Sequence, residues 1–289
     1  MKMKSIILSL LYFSLIVLVI SCKEKTENKN SLASNKINTY AEDAELLDEK
    51  LAYTNRVWDS LSFILQRKPT DTVYKNKITK QFKENKEKQI RIYQDFIFNN
   101  PNSLLSAETL DNMKFIYDKD VTSKLFNNMS EEIKASDIGL RIKNFIDLYE
   151  NPKVQDPYID FELPNQNGEL IRLSNYLETY TLIEFWASWC GPCRKSNPEL
   201  VKIYDKFKSK GFTIVGVSVD DNKNSWIEAI EEDGLYWKNL SDLKGKDNTA
   251  AIKYGVNGVP SNFLINDKGI IVEVDIKPEA LENILNQKL

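Results

Sequence analysis

The chain has 289 residues, more than one domain usually contains, which predicts two folded units and a targeting segment. Its 39 basic and 42 acidic residues leave a net charge of −3. This balance gives no electrostatic footprint for nucleic acid, so we predict no nucleic-acid partner. A hydrophobic fraction of 42% with 11% aromatic residues is ample for a folded core.

Residues 1–21 have the pattern of a secretory signal peptide. Lys2 and Lys4 precede an apolar run over residues 6–20 that is short for a membrane span, although a retained anchor is the alternative. Residues 19–22 resemble the lipobox of bacterial lipoproteins. The resemblance implies that Cys22 is lipidated and becomes the new N-terminus. We therefore expect a lipid-anchored envelope protein with its folded domains in the periplasm, surface exposure remaining open.

Two segments of different texture follow the signal peptide. Residues 22–45 are charged, rich in Asn and Ser, and predict a flexible tether. Residues 46–150 have apolar residues at helical spacing, with turn residues at 69–71 and 99–103, and predict a helical domain of four or five helices. Nothing in this domain pairs a nucleophile with a base, so we expect a scaffold or partner-recognition role.

Residues 151–289 alternate short β-rich runs with helices. Continuous apolar runs at 181–186 and 212–219 predict central parallel strands. A helix over about 190–210, ending at Gly211, would connect these strands in a right-handed βαβ unit. A β-hairpin is predicted over 261–275 and a last helix over 278–288. The fold class is therefore α/β, preceded by an all-α region.

Cys190 and Cys193 form a Cys-x-x-Cys pair at the predicted strand-to-helix junction. The third cysteine lies in the targeting segment, so these two thiols are predicted to form a reversible disulfide. At a helix start the Cys190 sulfur faces unpaired N–H groups, which stabilise its thiolate, and Cys193 lies one turn deeper. Lowering a thiol pKa from about 8.5 to about 7 makes about half of it thiolate at neutral pH. Pro192 suits the first helical turn.

A Cys-x-x-Cys pair is also half of a structural zinc site. Zinc usually has four Cys or His ligands, and the chain has no histidine. The same absence excludes Cys-His catalysis and a histidine-ligated haem. We therefore predict no metal and no cofactor.

Several segments of the C-terminal half together resemble the membrane-tethered thioredoxins of the TlpA/ResA type. They are residues 156–163, 168–174, 184–194, 216–220, 226–237, 253–256 and 259–265, and the 184–194 segment contains Trp189-Cys190-Gly191-Pro192-Cys193. The resemblance covers about 154–289 and implies a thioredoxin-like fold with a central mixed sheet flanked by helices. The helical half resembles, more weakly, the N-terminal extensions of Bacteroidetes-type members.

The resemblance implies roles for further residues. Val259-Pro260 corresponds to a cis-proline loop facing the cysteines, where the Val259 backbone would pair with an extended substrate; an ordinary turn proline is the alternative. Glu184 matches a buried carboxylate whose raised pKa would let it accept the Cys193 proton, directly or through a water; a solvent-facing Glu is the alternative. Trp189 would shield the sulfur pair. With Gly191 and Pro192 it completes the predicted substrate-binding set.

Two departures from thioredoxins proper concern the residues around that carboxylate. Gly216 stands where thioredoxins place a lysine, so Glu184 would lack its usual charged neighbour. Ser261-Asn262 replaces the commoner Thr-Thr after the proline, which leaves substrate preference open.

These features predict an envelope-anchored thiol-disulfide oxidoreductase. The Gly-Pro pair between the cysteines resembles that of reducing thioredoxins and favours a reductant or isomerase of disulfide-bearing exported proteins. We expect a membrane thiol-disulfide electron donor to supply its electrons. One alternative is a thiol peroxidase of the peroxiredoxin type, which needs a threonine and an arginine around a single cysteine; Ser188 and Cys193 argue against it. Another is a binding module whose redox pair regulates partner capture.

Overall fold

The computed structural model describes residues 31–67 and 70–289. Residues Asp43–Leu289 form one compact unit. The predicted signal peptide and Cys22 lie outside the described residues. Among those described, no helix combines the length and apolar character that crossing a membrane requires.

Six helices precede the first strand in the described chain. They are α1 (Ser31–Gln66), α2 (Thr72–Asn99), α3 (Leu104–Met113), α4 (Lys119–Asn128), α5 (Glu131–Lys134) and α6 (Asp137–Leu148). The predicted breaks are confirmed, because Asp71 and Ser103 accept N-cap hydrogen bonds at the starts of α2 and α3. The count exceeds the expected four or five because Ser130 and Ser136 also act as N-caps and separate the single turn of α5 from its neighbours.

The predicted tether is corrected by the position of α1. This helix begins at Ser31, so residues 31–45 are helical, whereas we predicted a flexible segment. The prediction rested on the Asn and Ser content of the segment, which is too polar for a hydrophobic core. It left out the good helix formers in the same segment, among them Ala33, Ala41 and Ala44.

The strands begin shortly after the predicted boundary at residue 150. β1 (Glu162–Pro164) and β2 (Leu170–Arg172) form an antiparallel pair. β3 (Tyr180–Trp186), β4 (Phe212–Ser218), β5 (Lys238–Leu240), β6 (Ser261–Asn266) and β7 (Ile271–Val274) form a sheet in the order β5-β4-β3-β6-β7. β3 is parallel to β4 and antiparallel to β6, so the sheet is mixed, as predicted. The division into two domains that each fold independently stays a prediction.

Four α-helices accompany this sheet. They are α7 (Gly191–Phe207), α8 (Lys223–Asp233), α9 (Thr249–Lys253) and α10 (Pro278–Lys288). α7 joins β3 to β4 and is followed by a 3-10 turn that ends at Gly211, which has φ of 92°. The predicted βαβ unit, the β6-β7 hairpin and the last helix are therefore confirmed.

The register of the sheet gathers three loops at one edge. Phe185 of β3 is opposite Ser261 of β6, and Trp186 is opposite Ser218 of β4. The segments 187–190 and 219–220 therefore leave the sheet at this edge, and the segment 259–260 enters it there. The cysteine pair and the Val259-Pro260 loop come from two of these segments.

Gly216 lies in the middle of β4, where the chain approaches buried polar side chains closely. A Cβ atom at this position would be 2.5 Å from Asn239 Oδ1 and 3.0 Å from Trp237 Nε1. Asn239 cannot easily move, because its Nδ2 donates to the carbonyls of Leu235 and Trp237. The packing therefore leaves no room for any side chain where thioredoxins place a lysine.

We expect Gly216→Ala to lower the free energy of unfolding by about 1–3 kcal/mol, because the added methyl group overpacks this site. Urea denaturation of the oxidised protein measures the change. Gly258→Ala is the matched control, since a Cβ there meets no atom of the described residues within 4 Å. Equal stability of the two variants would contradict the packing argument.

Candidate active site

Cys190 and Cys193 are joined by a disulfide in this structure. The S–S distance is 2.02 Å and the two Cα atoms are 5.3 Å apart. Cys190 is 4% exposed and Cys193 is fully buried. Both residues are therefore buried, with the small exposed fraction on Cys190, and the order in which the two sulfurs react stays a prediction.

The start of α7 places both sulfur atoms. Cys190 is the N-cap residue, and its Sγ accepts a hydrogen bond from the Cys193 N–H at 3.2 Å. Pro192 lies in the first turn, where its missing N–H is no loss. An anionic sulfur at an N-cap is stabilised by the free N–H groups and the positive end of the helix dipole. In the reduced protein this geometry favours the thiolate of Cys190 over its thiol.

Asp220 fixes the loop that leads into the cysteine pair. This buried carboxylate accepts hydrogen bonds from the Ser188 N–H at 2.9 Å, from Ser188 Oγ at 2.6 Å and from Ser218 Oγ at 2.6 Å. It thereby links the end of β4 to the residue two positions before Cys190. The sequence placed Asp220 in a resembling segment but gave it no role.

Arg194 fixes α7 from the other side. Its guanidinium donates to the carboxylates of Asp233 and Glu232 in α8 and to the Ser188 carbonyl. Asn197 also donates to Asp233, at 2.7 Å. Two residues of α8 thus hold the first turns of α7, a contact between distant parts of the chain that sequence reasoning missed.

The Val259–Pro260 peptide bond is cis, as expected. Beyond it, Ser261 Oγ donates to Asp275 Oδ1 at 2.7 Å, and Asn262 exchanges hydrogen bonds with the backbone of Ile276. Ser261 and Asn262, which replace the commoner Thr-Thr, therefore connect the start of β6 to the segment after β7 by hydrogen bonds. Pairing of a substrate with the Val259 backbone stays a prediction.

The remaining substrate-binding candidates are on the surface of the same edge. Trp189 is 65% exposed, and Gly191 and Pro192 are also exposed. Trp186, in contrast, is buried in the core. Exposed Trp189 offers a large apolar surface beside Cys190, and shielding of the sulfur pair by it stays a prediction.

Glu184 is buried in the centre of β3, between Gly216 of β4 and Asn262 of β6. Burial raises its pKa to about 8; a hydrogen bond with Asn262 lowers it and the charge of Asp275 raises it further. Within the described part of the chain, no group donates a hydrogen bond to its Oε2. A carboxyl group with this pKa can hold or release a proton near neutral pH.

Comparison with known proteins finds matches to the C-terminal half. Residues 154–274 match the AhpC/TSA family. The chain is 33% identical over 115 residues to the thiol-disulfide oxidoreductase ResA of Bacillus subtilis, covering 40% of this chain and 63% of the relative. It is 29% identical to ResA of Bacillus thuringiensis over 43% of this chain and 70% of the relative. A thiol-disulfide oxidoreductase structure from Bacteroides fragilis is 34% identical, covers 46% of this chain and all of that one, and has a TM-score of 0.44.

The family match and the two ResA relatives confirm the resemblance to TlpA/ResA-type proteins and the thioredoxin-like fold of the C-terminal half. The two curated relatives are named thiol-disulfide oxidoreductases, which supports the function proposed below for this domain. The chain spans less than two thirds of the Bacillus subtilis relative. The two curated matches involve less than half of the present chain.

The raised pKa of Glu184 predicts a pH-dependent stability. A carboxyl group that prefers its protonated form when folded contributes stability that is complete below its unfolded pKa, near 4.5, and is lost as the pH rises through about 8. The rise in pKa corresponds to at most about 5 kcal/mol.

We therefore expect the free energy of unfolding of Glu184→Gln, relative to the unsubstituted protein, to increase between pH 5 and pH 9. Urea titrations of the oxidised proteins at several pH values measure this difference. Glu199→Gln, at an exposed position of α7, is the control and should show no such trend. Parallel pH profiles for Glu184→Gln and the unsubstituted protein would contradict the assignment.

Proposed function

Starting from a thioredoxin-like domain that matches the AhpC/TSA family, we propose that the protein reduces or isomerises disulfides in exported proteins through Cys190 and Cys193. One observation carries the proposal. The outer sulfur caps the first turn of α7, while the inner sulfur is fully buried one turn below it and bonded to it. This arrangement suits one sulfur for attack and the other for release.

The first step forms a mixed disulfide. The Cys190 thiolate attacks one sulfur of the substrate disulfide, the substrate S–S bond breaks, and the second substrate sulfur leaves as a thiolate. The cap position of Cys190 stabilises the attacking anion. Val259, at the same edge of the sheet, would hold the substrate backbone during this step.

The second step releases the substrate. Cys193, as a thiolate, attacks Cys190 Sγ. This forms the Cys190–Cys193 disulfide and frees, as a thiolate, the substrate sulfur that Cys190 attacked in the first step. Two electrons have then passed from the protein to the substrate. Glu184 would accept the Cys193 proton, directly or through a water, because its pKa of about 8 is close to that of a thiol. A membrane thiol-disulfide donor would reduce the pair again.

The setting of the reaction is part of the proposal. The signal-like segment and the lipobox resemblance at Cys22 support a protein exported across a membrane and tethered to it by lipid. An oxidising envelope compartment also supplies the disulfides on which the protein would act. Neither segment belongs to the described residues.

A thiol peroxidase is a weaker candidate. It would need an arginine free to act beside a single reactive cysteine. Arg194 donates instead to Asp233, Glu232 and the Ser188 carbonyl, and Cys190 has a partner sulfur three residues away. Peroxide consumption faster than insulin-disulfide reduction would favour the peroxidase. A binding module with a regulatory redox pair would turn over insulin very slowly.

Cys193→Ser tests the two-step reaction. The variant keeps the attacking thiol but lacks the resolving one, so mixed disulfides with envelope proteins should accumulate at Cys190. Non-reducing electrophoresis after rapid acid quenching, followed by mass spectrometry, measures them. Cys190→Ser is the matched control and should trap far less. Equal trapping by both variants, or none by either, would contradict the proposed order of attack.

Glu184→Gln tests the proton acceptor. General acid–base catalysis contributes about 10²–10⁴-fold, so release of the mixed disulfide near pH 7 should slow by at least about tenfold. Stopped-flow measurement of resolution, with tryptophan fluorescence as the signal, follows this step. The pH profile should also lose the ionisation near 8. An unchanged profile with a uniformly lower rate would mean that Glu184 only supports the fold.

A further inference from the structure

A cleft of about 190 Å³ lies beside the redox loop, and the helical half forms one of its sides. Asn112, in the last turn of α3, and Phe115, just after it, line this side. Trp189, Val219 and Val259 line the other side. The cleft therefore lies between the residue before Cys190 and the residue before the cis-proline, where a substrate segment would pass.

Buried charges attach the helical side of the cleft to the thioredoxin-like half. Asp111 and Lys114 are 4% and 2% exposed and form an ion pair at 2.7 Å. Lys114 also contacts Asp247 at 3.2 Å, and Lys246 contacts Asp111 at 3.1 Å. Burial would raise the pKa of Asp111, but the hydrogen bonds and charges of Lys114 and Lys246 hold it below its ordinary value.

Further contacts attach the same region. The backbone N–H groups of Glu150 and Asn151 both donate to the Lys253 carbonyl, at 3.2 and 2.9 Å. Phe115 packs edge-on against Phe145 of α6, with ring centroids 4.9 Å apart. The helical side of the cleft is thus held by ion pairs, backbone hydrogen bonds and ring packing.

The chemistry of the cleft favours an apolar occupant. Phe115, Trp189, Val219 and Val259 supply apolar surface. The charged lining residues Lys114 and Lys246 are already paired with Asp111, and the uncharged polar lining is Asn112 and Asn257. The volume is below the roughly 300–1,000 Å³ of pockets for drug-sized molecules, so it suits one side chain of a peptide segment.

We propose that the helical half forms part of the substrate site, with Asn112 and Phe115 selecting protein substrates that carry a large apolar residue next to the attacked cysteine. The inference rests on the proposed disulfide-exchange function. It assigns the helical half a role in specificity, and the cysteine pair keeps the chemistry.

Asn112→Trp tests this assignment, because it fills the cleft from an exposed position. The substrates are two synthetic peptides with one intramolecular disulfide, bearing Phe or Ala next to the cysteine, and bis(2-hydroxyethyl) disulfide. The unsubstituted protein should prefer the Phe peptide in kcat/KM. In Asn112→Trp this preference should fall about tenfold, and the rate on the small disulfide should fall much less than the rate on the Phe peptide.

Leu104→Trp is the matched control, since it adds the same side chain at an exposed position in the first turn of α3. It should keep the preference. Asn112→Leu is a second variant that adds apolar surface without filling the cleft, and it should strengthen the preference. Thermal unfolding verifies that each variant is folded.

The outcomes separate the inference from the function on which it rests. Failure of the unsubstituted protein to reduce any of the three disulfides would refute the proposed function itself. Reduction of all three with no preference for Phe, or an equal loss on all three in Asn112→Trp, would overturn the role of the helical half alone.

Discussion

The start of a helix directly after the central strand is the constraint on which the site depends. β3 ends at Trp186 and α7 begins at Gly191, so the cap position falls on Cys190. A sulfur at this position meets free N–H groups and the positive end of a helix dipole, and the residue three positions on is directed into the core. The difference between the two sulfurs therefore arises from the helix start. Asp220 and Arg194 preserve it by fixing the loop and the first turns of α7.

The packing around β4 explains why Glu184 is unusual. Gly216 beside it leaves no room for a side chain, since Asn239 and Trp237 occupy the space into which a Cβ would project. A lysine cannot stand there, so no cation at this position offsets the burial of the carboxylate. Burial is then the largest influence on its pKa, which rises to about 8. In the proposed reaction this matches the carboxyl group to a thiol, whereas a carboxyl group paired with a lysine would stay ionised and be a weaker base.

Sequence reasoning succeeded where the information is local. A periodicity or turn signal within about ten residues marks each of four elements: strands β3 and β4, the hairpin around Gly269 and the helix from Pro278. Cys190 and Cys193 likewise lie within one helical turn. It failed where partners are distant in sequence. Ser188 and Asp220 are 32 residues apart, and Lys114 and Asp247 are 133 apart, so no spacing rule could pair them. Composition misled at Ser31, because a segment too polar for a core can still form a helix.

The buried charges between the two halves fit a role in orientation better than one in stability. Removing Asp111 and Lys114 from water has a large desolvation cost, and well-packed apolar residues of similar size often stabilise as much or more. Charged groups, unlike apolar ones, need their partners in defined places. Asp111 forms ion pairs with Lys114 of its own segment, with Arg141 of α6 and with Lys246 of the thioredoxin-like half. Sliding of α3 along this contact would take Asp247 from the buried Lys114 and Lys246 from the buried Asp111, whereas an apolar contact could repack at lower cost. The ion pairs therefore fix Asn112 and Phe115 at one distance from Trp189, which a cleft that discriminates between side chains requires.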